Sequence, residues 1–576
     1  ALLNYVTHDL KFNVDHVKVL RKKESGTFMA IDKATQRHLE LTEPLHEGQE
    51  KHTLIHLLDK TATPMGARLL KEWLVHPLLS IDEIKARQDA LAALKSYPKR
   101  KTLASELELI RDLERLIMRI ETGFASPRDL VGLQLSLEQI PLINLHLKNI
   151  DCFDQLEELT SVATKIRGAI VESPPLRISD GGIFKEGFHE ALDELRVYKT
   201  DSRSWIAHYQ TKLREETGIK TLKLSFTRAF GYYIEVSRGQ ADNIPSHFER
   251  RQTLVNAERF VTPELKEYEH KVLTAEEKIS QIEEVLFHEL RLFIANEAST
   301  IRQVAALIAK LDTLLSLALV AEQYHYTRPL IDESSIFMIQ DGRHPVIEAS
   351  LFPDPFIPND LHLNKEDSRL IIITGPNMAG KSTFIRQAAL IAILAQIGSY
   401  VPAKYAHIGI IDKVFSRIGA SDDLARGQST FMVEMAETAN ILNNATSKSL
   451  VILDEIGRGT STYDGVSIAW AVAEYLLTQE AKSAKTLFAT HYWELTEMEK
   501  QILGAVNYTV AIQETESGIV FLHKIIKGCT DKSYGIHVAR LAGLPSIVLK
   551  RAQEILHKLE KKNKNPLQRQ LSLFDI

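Results

Sequence analysis

Residues 375–382 read Gly375-Pro376-Asn377-Met378-Ala379-Gly380-Lys381-Ser382, and no other stretch constrains this chain so tightly. G-x-x-x-x-G-K-S is the pattern of a loop that cradles phosphate. Its setting agrees with that reading. Residues 370–374 are an apolar, β-branched run suited to a buried strand, and residues 384–397 carry the apolar spacing of a helix. Glycines let backbone N–H groups come close to phosphate oxygens, and the N-terminus of the following helix adds a favourable dipole. In such a loop the lysine, here Lys381, pairs with β- and γ-phosphate oxygens, and the hydroxyl of Ser382 holds Mg²⁺. ATP or ADP with Mg²⁺ is the cofactor set this implies.

A second apolar run, Leu450-Val451-Ile452-Leu453, ends in Asp454-Glu455. An acid at a strand end suits the Mg²⁺ shell, which is the role expected of Asp454. Glu455, next to it, is placed to orient or deprotonate an attacking water. A further β-run, residues 486–490, leads to His491, a candidate sensor of the γ-phosphate. With the loop Ser461-Thr462-Tyr463-Asp464 these features resemble the ABC-type ATPases, in which a signature segment of one subunit completes the other subunit's site. The transporter form of that segment, Leu-Ser-Gly-Gly-Gln, is absent. Gly427-Gln428-Ser429-Thr430-Phe431-Met432-Val433-Glu434-Met435 stands in its place and makes Ser429 the candidate for reaching a partner's γ-phosphate. A transporter subunit is thereby disfavoured. A chromosome-cohesion ATPase is disfavoured too, because it needs very long coiled coils.

Beyond the α/β texture of residues 329–556, the chain changes character several times. Residues 1–185 read as mostly helical, with no catalytic cluster. Residues 221–239 alternate in strand fashion and gather basic and aromatic side chains: Arg228, Tyr232 and Arg238, followed by Arg250 and Arg251. Between Pro263 and Pro329 there is neither Pro nor Gly, and Ile279, Ile282, Leu286, Leu290 and Phe293 recur in steps of three and four. One unbroken helix there would reach roughly 100 Å, so the stretch reads as a lever, with a coiled-coil rod as the other reading. A formal net charge of −5 carries no general signal for nucleic acid, so any DNA-binding surface must be local. Cys152 and Cys529 form no metal or disulfide framework. The apolar run at 388–395 is far short of the about 20 residues a membrane span requires, and no signal peptide opens the chain, so a cytoplasmic protein with no membrane partner is expected.

Taken together, Thr374 to Thr383, Ser429 to Met435 and Asp454-Glu455-Ile456-Gly457-Arg458-Gly459-Thr460-Ser461 closely resemble the MutS family of mismatch-repair proteins. So do Gly342-Arg343-His344-Pro345, Thr490-His491-Tyr492 and Asp531-Lys532-Ser533-Tyr534-Gly535-Ile536-His537. Outside this part, Thr63-Pro64-Met65-Gly66 with Arg68 and Trp73 looks like the family's core. Gly231-Tyr232-Tyr233-Ile234 and Arg250-Arg251-Gln252-Thr253-Leu254 look like its DNA clamp.

The resemblance implies an α/β and α multidomain chain. Residues 1–185 form a helical core with the first lever, 186–264 a small α+β DNA clamp, and 265–328 lever helices. Residues 329–556 form an ABC-type P-loop ATPase with a C-terminal helix-turn-helix that locks a homodimer. The tail, 557–576, is flexible and carries Gln570, Leu571, Ser572, Leu573 and Phe574, similar to the peptide that docks on the replication sliding clamp. Resemblance also assigns Phe356 and His523 to packing on adenine, Asn377 to nucleotide contact, and residues 186–264 as a whole to the double-stranded DNA backbone, with Arg228, Tyr232, Arg238, Arg250 and Arg251 as the candidate contacts. It implies ADP–ATP exchange, a ring that slides on DNA, recruitment of MutL, and nucleoid association. The family's Phe-x-Glu mispair wedge has no counterpart: the tripeptides at Phe184, Phe188 and Phe287 fall in structural contexts, so the wedge and connector domains are expected to lie outside this sequence. A MutS paralogue without the wedge, acting on branched or recombining DNA, is the alternative.

Overall fold

The computed structural model describes all residues except 1–4, 12–25, 46–47, 228–230, 377–378, 420–429, 516–517, 530–534 and 564–576. Two compact units emerge, each drawn from separated segments. Ala1–His16, Glu106–Leu145 and Gln155–Leu307 make one; Val17–Ser105, His146–Asp154 and Ile308–Ile576 make the other.

Among its described residues the first unit is helical apart from one small antiparallel sheet. Helix Glu190–Thr217 stops at Gly218, whose φ of 70° is the left-handed cap that glycine adopts without strain. Four strands follow, in the spatial order Lys223–Thr227, Gly231–Ser237, Ala257–Val261, Glu249–Thr253. The chain then re-enters a helix, Pro263–Asn296. Its start is set by Pro263 in the first turn and by the Thr262 side chain accepting from Leu265 N–H. The two helices pack through Trp205, stacked on Tyr268, and through the hydrogen bond between Tyr209 Oη and Thr262 Oγ1 at 2.6 Å. Leu213, Ile234, Val236, Phe260 and Leu265 form the core beneath the sheet.

The Pro- and Gly-free stretch is not one rod. It breaks at Glu297 into Pro263–Asn296 and Ala298–Gln323, and at 1.5 Å per residue the first piece is about 50 Å long. Glu283 ties that piece down. Fully buried, it accepts from Gly182 N–H at 2.8 Å and Ile183 N–H at 3.2 Å and pairs with Arg196 at 3.0 Å. A buried carboxylate demands such partners. The three Phe-x-Glu tripeptides are packing elements: Phe184 and Phe287 are buried, and Phe188 stacks on Phe184.

The second unit holds a seven-stranded sheet in the order Ala30–Ile31, Lys413–Arg417, Leu450–Asp454, Lys485–Ala489, Leu370–Thr374, Ala505–Thr515, Gly518–Lys527. Every neighbouring pair is parallel except the last. Its central strands are buried along their whole length, as a parallel sheet covered on both faces requires. Helix Lys381–Gln396 and helix Thr462–Thr478 supply part of that cover; Val466, Ala469, Ala473 and Leu476 of the latter pack with Leu453 and Phe488. The edge strand Ala30–Ile31 lies within a region that reads as helical in sequence. Two residues are too few to show a period of two. A second, four-stranded sheet runs Leu330–Asp332, Tyr405–Gly409, Phe337–Gly342, Asn359–Leu363. Helices Gly535–Leu541 and Ser546–Asn563 flank Gly543.

The Thr63-Pro64-Met65-Gly66 motif has a local cause. Asp312, buried, accepts from Ala62 N–H at 2.9 Å, Thr63 N–H at 2.8 Å and Thr63 Oγ1 at 2.7 Å. Thr63 Oγ1 accepts in turn from Gly66 N–H, capping helix Pro64–Val75. A Cβ on Gly66 would lie 2.2 Å from Asp312 Oδ2, so only glycine fits. Among the described residues, one helix, Ala298–Gln323, is long and apolar enough to cross a bilayer, and 78% of its apolar window is buried inside the protein.

Candidate functional site

Three neighbouring parallel strands end on the same side of the seven-stranded sheet, and each delivers one element of the site. Leu370–Thr374 leads into the glycine loop, Lys485–Ala489 leads to His491, and Leu450–Asp454 leads to Glu455. The histidine strand therefore lies between the other two. Crevices at the carboxyl ends of parallel strands are where such folds place ligands.

Gly375 (φ 136°) and Gly380 (φ 99°) take backbone conformations that side-chain-bearing residues rarely adopt. Gly380 is the N-cap of helix Lys381–Gln396, so the helix N-terminus opens onto the loop. Ala379 is buried. The Lys381 ammonium donates to Gly375 O at 2.6 Å and Pro376 O at 2.9 Å. Burial lowers its pKa to about 8, against the opposing pull of Glu455 and Asp454. Asn377 and Met378 lie outside the described residues.

A cavity of about 420 Å³ opens beside the loop. Pro376, Gly380, Lys381, Ser382 and Thr383 line one part of it, and Phe356 and His523 line another. Two residues far from the loop in sequence thus share its pocket. Asn359 holds His523 in place: its Nδ2 donates to His523 O at 3.0 Å and its Oδ1 accepts from Ile525 N–H at 2.7 Å. His523 has a φ of 51°, a strained value that this grip maintains. Ile347, Leu351 and Gln387 also line the cavity. Sequence reasoning missed these and Asn359. The flagged Gly342-Arg343-His344-Pro345 segment, just before Ile347, was the nearest available signal.

Glu455 is the electrostatic centre of the acid turn. It accepts from His491 Nε2 at 2.9 Å and pairs with Arg458 Nη1 at 2.5 Å. Burial pushes its pKa up, but the His491 hydrogen bond and the charges of Arg458, His491 and Lys381 outweigh that and hold it below the ordinary value. Asp454 differs. Burial raises its pKa, with the Ser382 hydrogen bond and Arg386 and Lys381 opposing. Its Oδ1 is buried with no hydrogen-bond partner among the described residues. A bare buried carboxylate oxygen next to a serine hydroxyl is a hard-oxygen donor set of the kind Mg²⁺ takes, so the residues present fit that ion.

In the other unit the small sheet carries the remaining basic candidates. Gln252 pairs with Arg259 and Arg250 with Phe260, which leaves Arg251 as the extra residue of a β-bulge. Both arginines are exposed; Arg250 is paired with Glu258 at 2.9 Å. Arg238 is exposed, and its N–H donates to Asn256 O at 3.2 Å. Tyr232 is half-buried against Phe226 and Tyr268. Arg228, Ser429 and the segment Gln570, Leu571, Ser572, Leu573 and Phe574 lie outside the described residues.

Fold and site together define a mixed α/β protein in which a glycine loop, an acid pair and a histidine share one end of a parallel sheet. The chain belongs to the MutS family. Residues 34–318 match the model of MutS domain III and residues 371–560 that of MutS domain V. The DNA mismatch repair protein MutS of Protochlamydia amoebophila (strain UWE25) is 59% identical over 567 residues, covering 97% of this chain and 66% of the relative. Its counterpart in Acetivibrio thermocellus is 47% identical, covering 100% of this chain and 68% of the relative. The one in Symbiobacterium thermophilum is 48% identical, covering 97% and 65%. The chain spans about two thirds of the length of the relatives it matches.

Proposed function

We propose that this chain is the ATP-hydrolysing, DNA-embracing body of a mismatch-repair machine. The observation that carries the reading is the cavity in which the phosphate loop, Phe356 and His523 meet, with Glu455 and His491 at adjacent strand ends. Phe356 and His523 would flank the adenine, and the loop N–H groups and Lys381 would take the phosphates. Ser382 and Asp454 would hold Mg²⁺, which when bound neutralises charge on the β- and γ-phosphate oxygens.

Hydrolysis then needs an in-line water. Glu455, kept ionised by His491 and Arg458, accepts a proton from that water as its oxygen bonds to the γ-phosphorus. The bond to the bridging β–γ oxygen breaks, and ADP and phosphate leave. Ser429 of a second copy would complete the site, so the working unit is a homodimer. ATP binding closes the ring and hydrolysis resets it, and in its ATP-bound state the dimer slides on duplex DNA and recruits MutL. Exposed Leu544, Ile547 and Val548 beside the turn at Gly543 support a role for helices Gly535–Leu541 and Ser546–Asn563 in dimer locking. The small sheet grips the DNA backbone through Arg238, Arg250 and Arg251, and the terminal Gln570 to Phe574 docks on the replication sliding clamp. The site of action is the cytoplasm, at the nucleoid.

ATP turnover with and without duplex DNA tests the reading. Turnover that needs Lys381 and Glu455 supports it; an intact chain that neither binds nor hydrolyses ATP overturns it.

A further inference from the structure

The backbone of Gly457 is gripped from two sides, through the peptide group before it and the one after it. Its N–H donates to Glu434 Oε1 at 2.5 Å, and its C=O accepts from Tyr492 Oη at 2.9 Å. The grips come from different elements: Glu434 from helix Thr430–Asn444, Tyr492 from the turn after strand Lys485–Ala489. Glu434 is buried, and its Oε2 lies 3.2 Å from Arg417 Nη2, on a side chain just as buried. Arg417 also reaches Glu437 at 3.3 Å. The turn has no slack, since a Cβ on Gly457 would lie 2.5 Å from Gly465 O.

Two residues upstream, Glu455 has a φ of 59°. A non-glycine residue persists in that region only where its surroundings over-determine it. Part of the restraint is the Glu455 N–H bond to Ala489 O at 2.9 Å. Gly457, two residues on, is held from both sides as well.

We propose that Glu434 is a positioning residue for Glu455, an inference that rests on the hydrolytic reading above. Glu434 lines no part of the cavity. It acts by fixing the Gly457 peptide, so that the Glu455 carboxylate stays on His491 Nε2 and beside the phosphate loop. A carboxylate suits the task because a charge-assisted N–H···O bond is roughly twice as strong as a neutral one. Arg417 supplies the countercharge. The same contact joins the catalytic turn to helix Thr430–Asn444, so a shift of that helix moves the Gly457 peptide.

The test uses the full chain, with steady-state ATP turnover and ADP and ATP affinity measured for Glu434→Ala, Glu434→Gln and Tyr492→Phe. Glu434→Ala should lower kcat about a hundredfold, the order of loss a misplaced catalytic group causes, with both affinities within about twofold of the parent. Glu434→Gln should recover part of the rate, because its amide oxygen still accepts from Gly457 N–H. A purely structural role would instead move affinity, melting temperature and kcat together. The proposal is overturned if the parent turns over ATP and Glu434→Ala keeps its kcat, or loses affinity in step with it. If Glu434→Ala does not fold, Glu434→Gln and Tyr492→Phe decide: a reduced kcat at unchanged affinity in both supports positioning, and parental rates in both refute it. A parent that hydrolyses no ATP fails the hydrolytic reading itself, and the role of Glu434 with it.

Discussion

His491 Nε2–H donates to Glu455 Oε1 at 2.9 Å across 36 positions of sequence, and this bond, with Arg458 Nη1 near the other carboxylate oxygen, keeps the glutamate charged. Burial alone would push the Glu455 pKa up, yet the net shift is down. A carboxylate depressed in the folded state adds stability above its unfolded pKa, near 4.5, and that stability is lost as pH falls through the folded value. Replacing His491 by Ala removes the first hydrogen bond. The acid limb of kcat against pH should then move to higher pH; a limb that stays put would detach His491 from the ionisation of Glu455.

Lys381 and Glu455 should separate binding from chemistry. Lys381→Ala is expected to lose ATP affinity, because the ammonium seated against the loop carbonyls is gone. Glu455→Ala should bind ATP like the parent and lower turnover by about a hundredfold or more, the usual scale for a general base. Equilibrium binding and steady-state turnover on the same samples distinguish the two.

Nucleotide binding should take up a proton in mildly alkaline solution. The buried Lys381 has a pKa near 8 in the free chain, and a phosphate anion beside it favours the ammonium. Affinity for ATP should therefore fall as pH rises past about 8. Between that value and the ordinary 10.5 the folded chain holds fewer protons than the unfolded one, so this group makes stability rise with pH there. Calorimetry at pH 8.5 in two buffers of different ionisation enthalpy reads the uptake directly, and equal heats in both would count against it.

Gly66 should tolerate no side chain. With a Cβ 2.2 Å from Asp312 Oδ2, Gly66→Ala should cost about 1–3 kcal/mol, the scale of overpacking in a core. Gly168→Ala is the control: it lies in helix Thr160–Ala169 with nothing within 4 Å, so it should be neutral or stabilising. Urea midpoints at equal m-values settle the comparison.

On duplex DNA, Arg250→Ala with Arg251→Ala should weaken binding about equally across sequences. The slope of log K against log salt should shrink by close to one for each phosphate contact removed. Arg250, already paired with Glu258, should contribute less than Arg251. A slope equal to the parent's would take both arginines out of the interface.

Much of the site was legible because its chemistry is local. The glycines of the loop, the Asp454-Glu455 pair at the end of an apolar run and His491 after another β-run need only short-range spacing to be recognised. The lever was legible only as a Pro- and Gly-free stretch; the break at Glu297 has no sequence punctuation, so its place depends on packing. Asn359 left no signal, and Glu434 stood inside the Ser429 to Met435 stretch with no role of its own, since a lone Asn or Glu acquires meaning only from what lies opposite it. The edge strand Ala30–Ile31 is defined by pairing with Lys413 and Val414, nearly four hundred positions away.

The sequence by itself determined the glycine loop, the acid pair, the parallel-sheet texture around them and the family, because periodicity and backbone requirements are written into consecutive residues. Tertiary structure alone decided that the histidine strand lies between the loop strand and the acid strand, that Asn359 holds the backbone at His523, and that Glu434 and Tyr492 close on Gly457. These are contacts between elements distant in the chain. Strand order and burial select them, and no local pattern of residues encodes either.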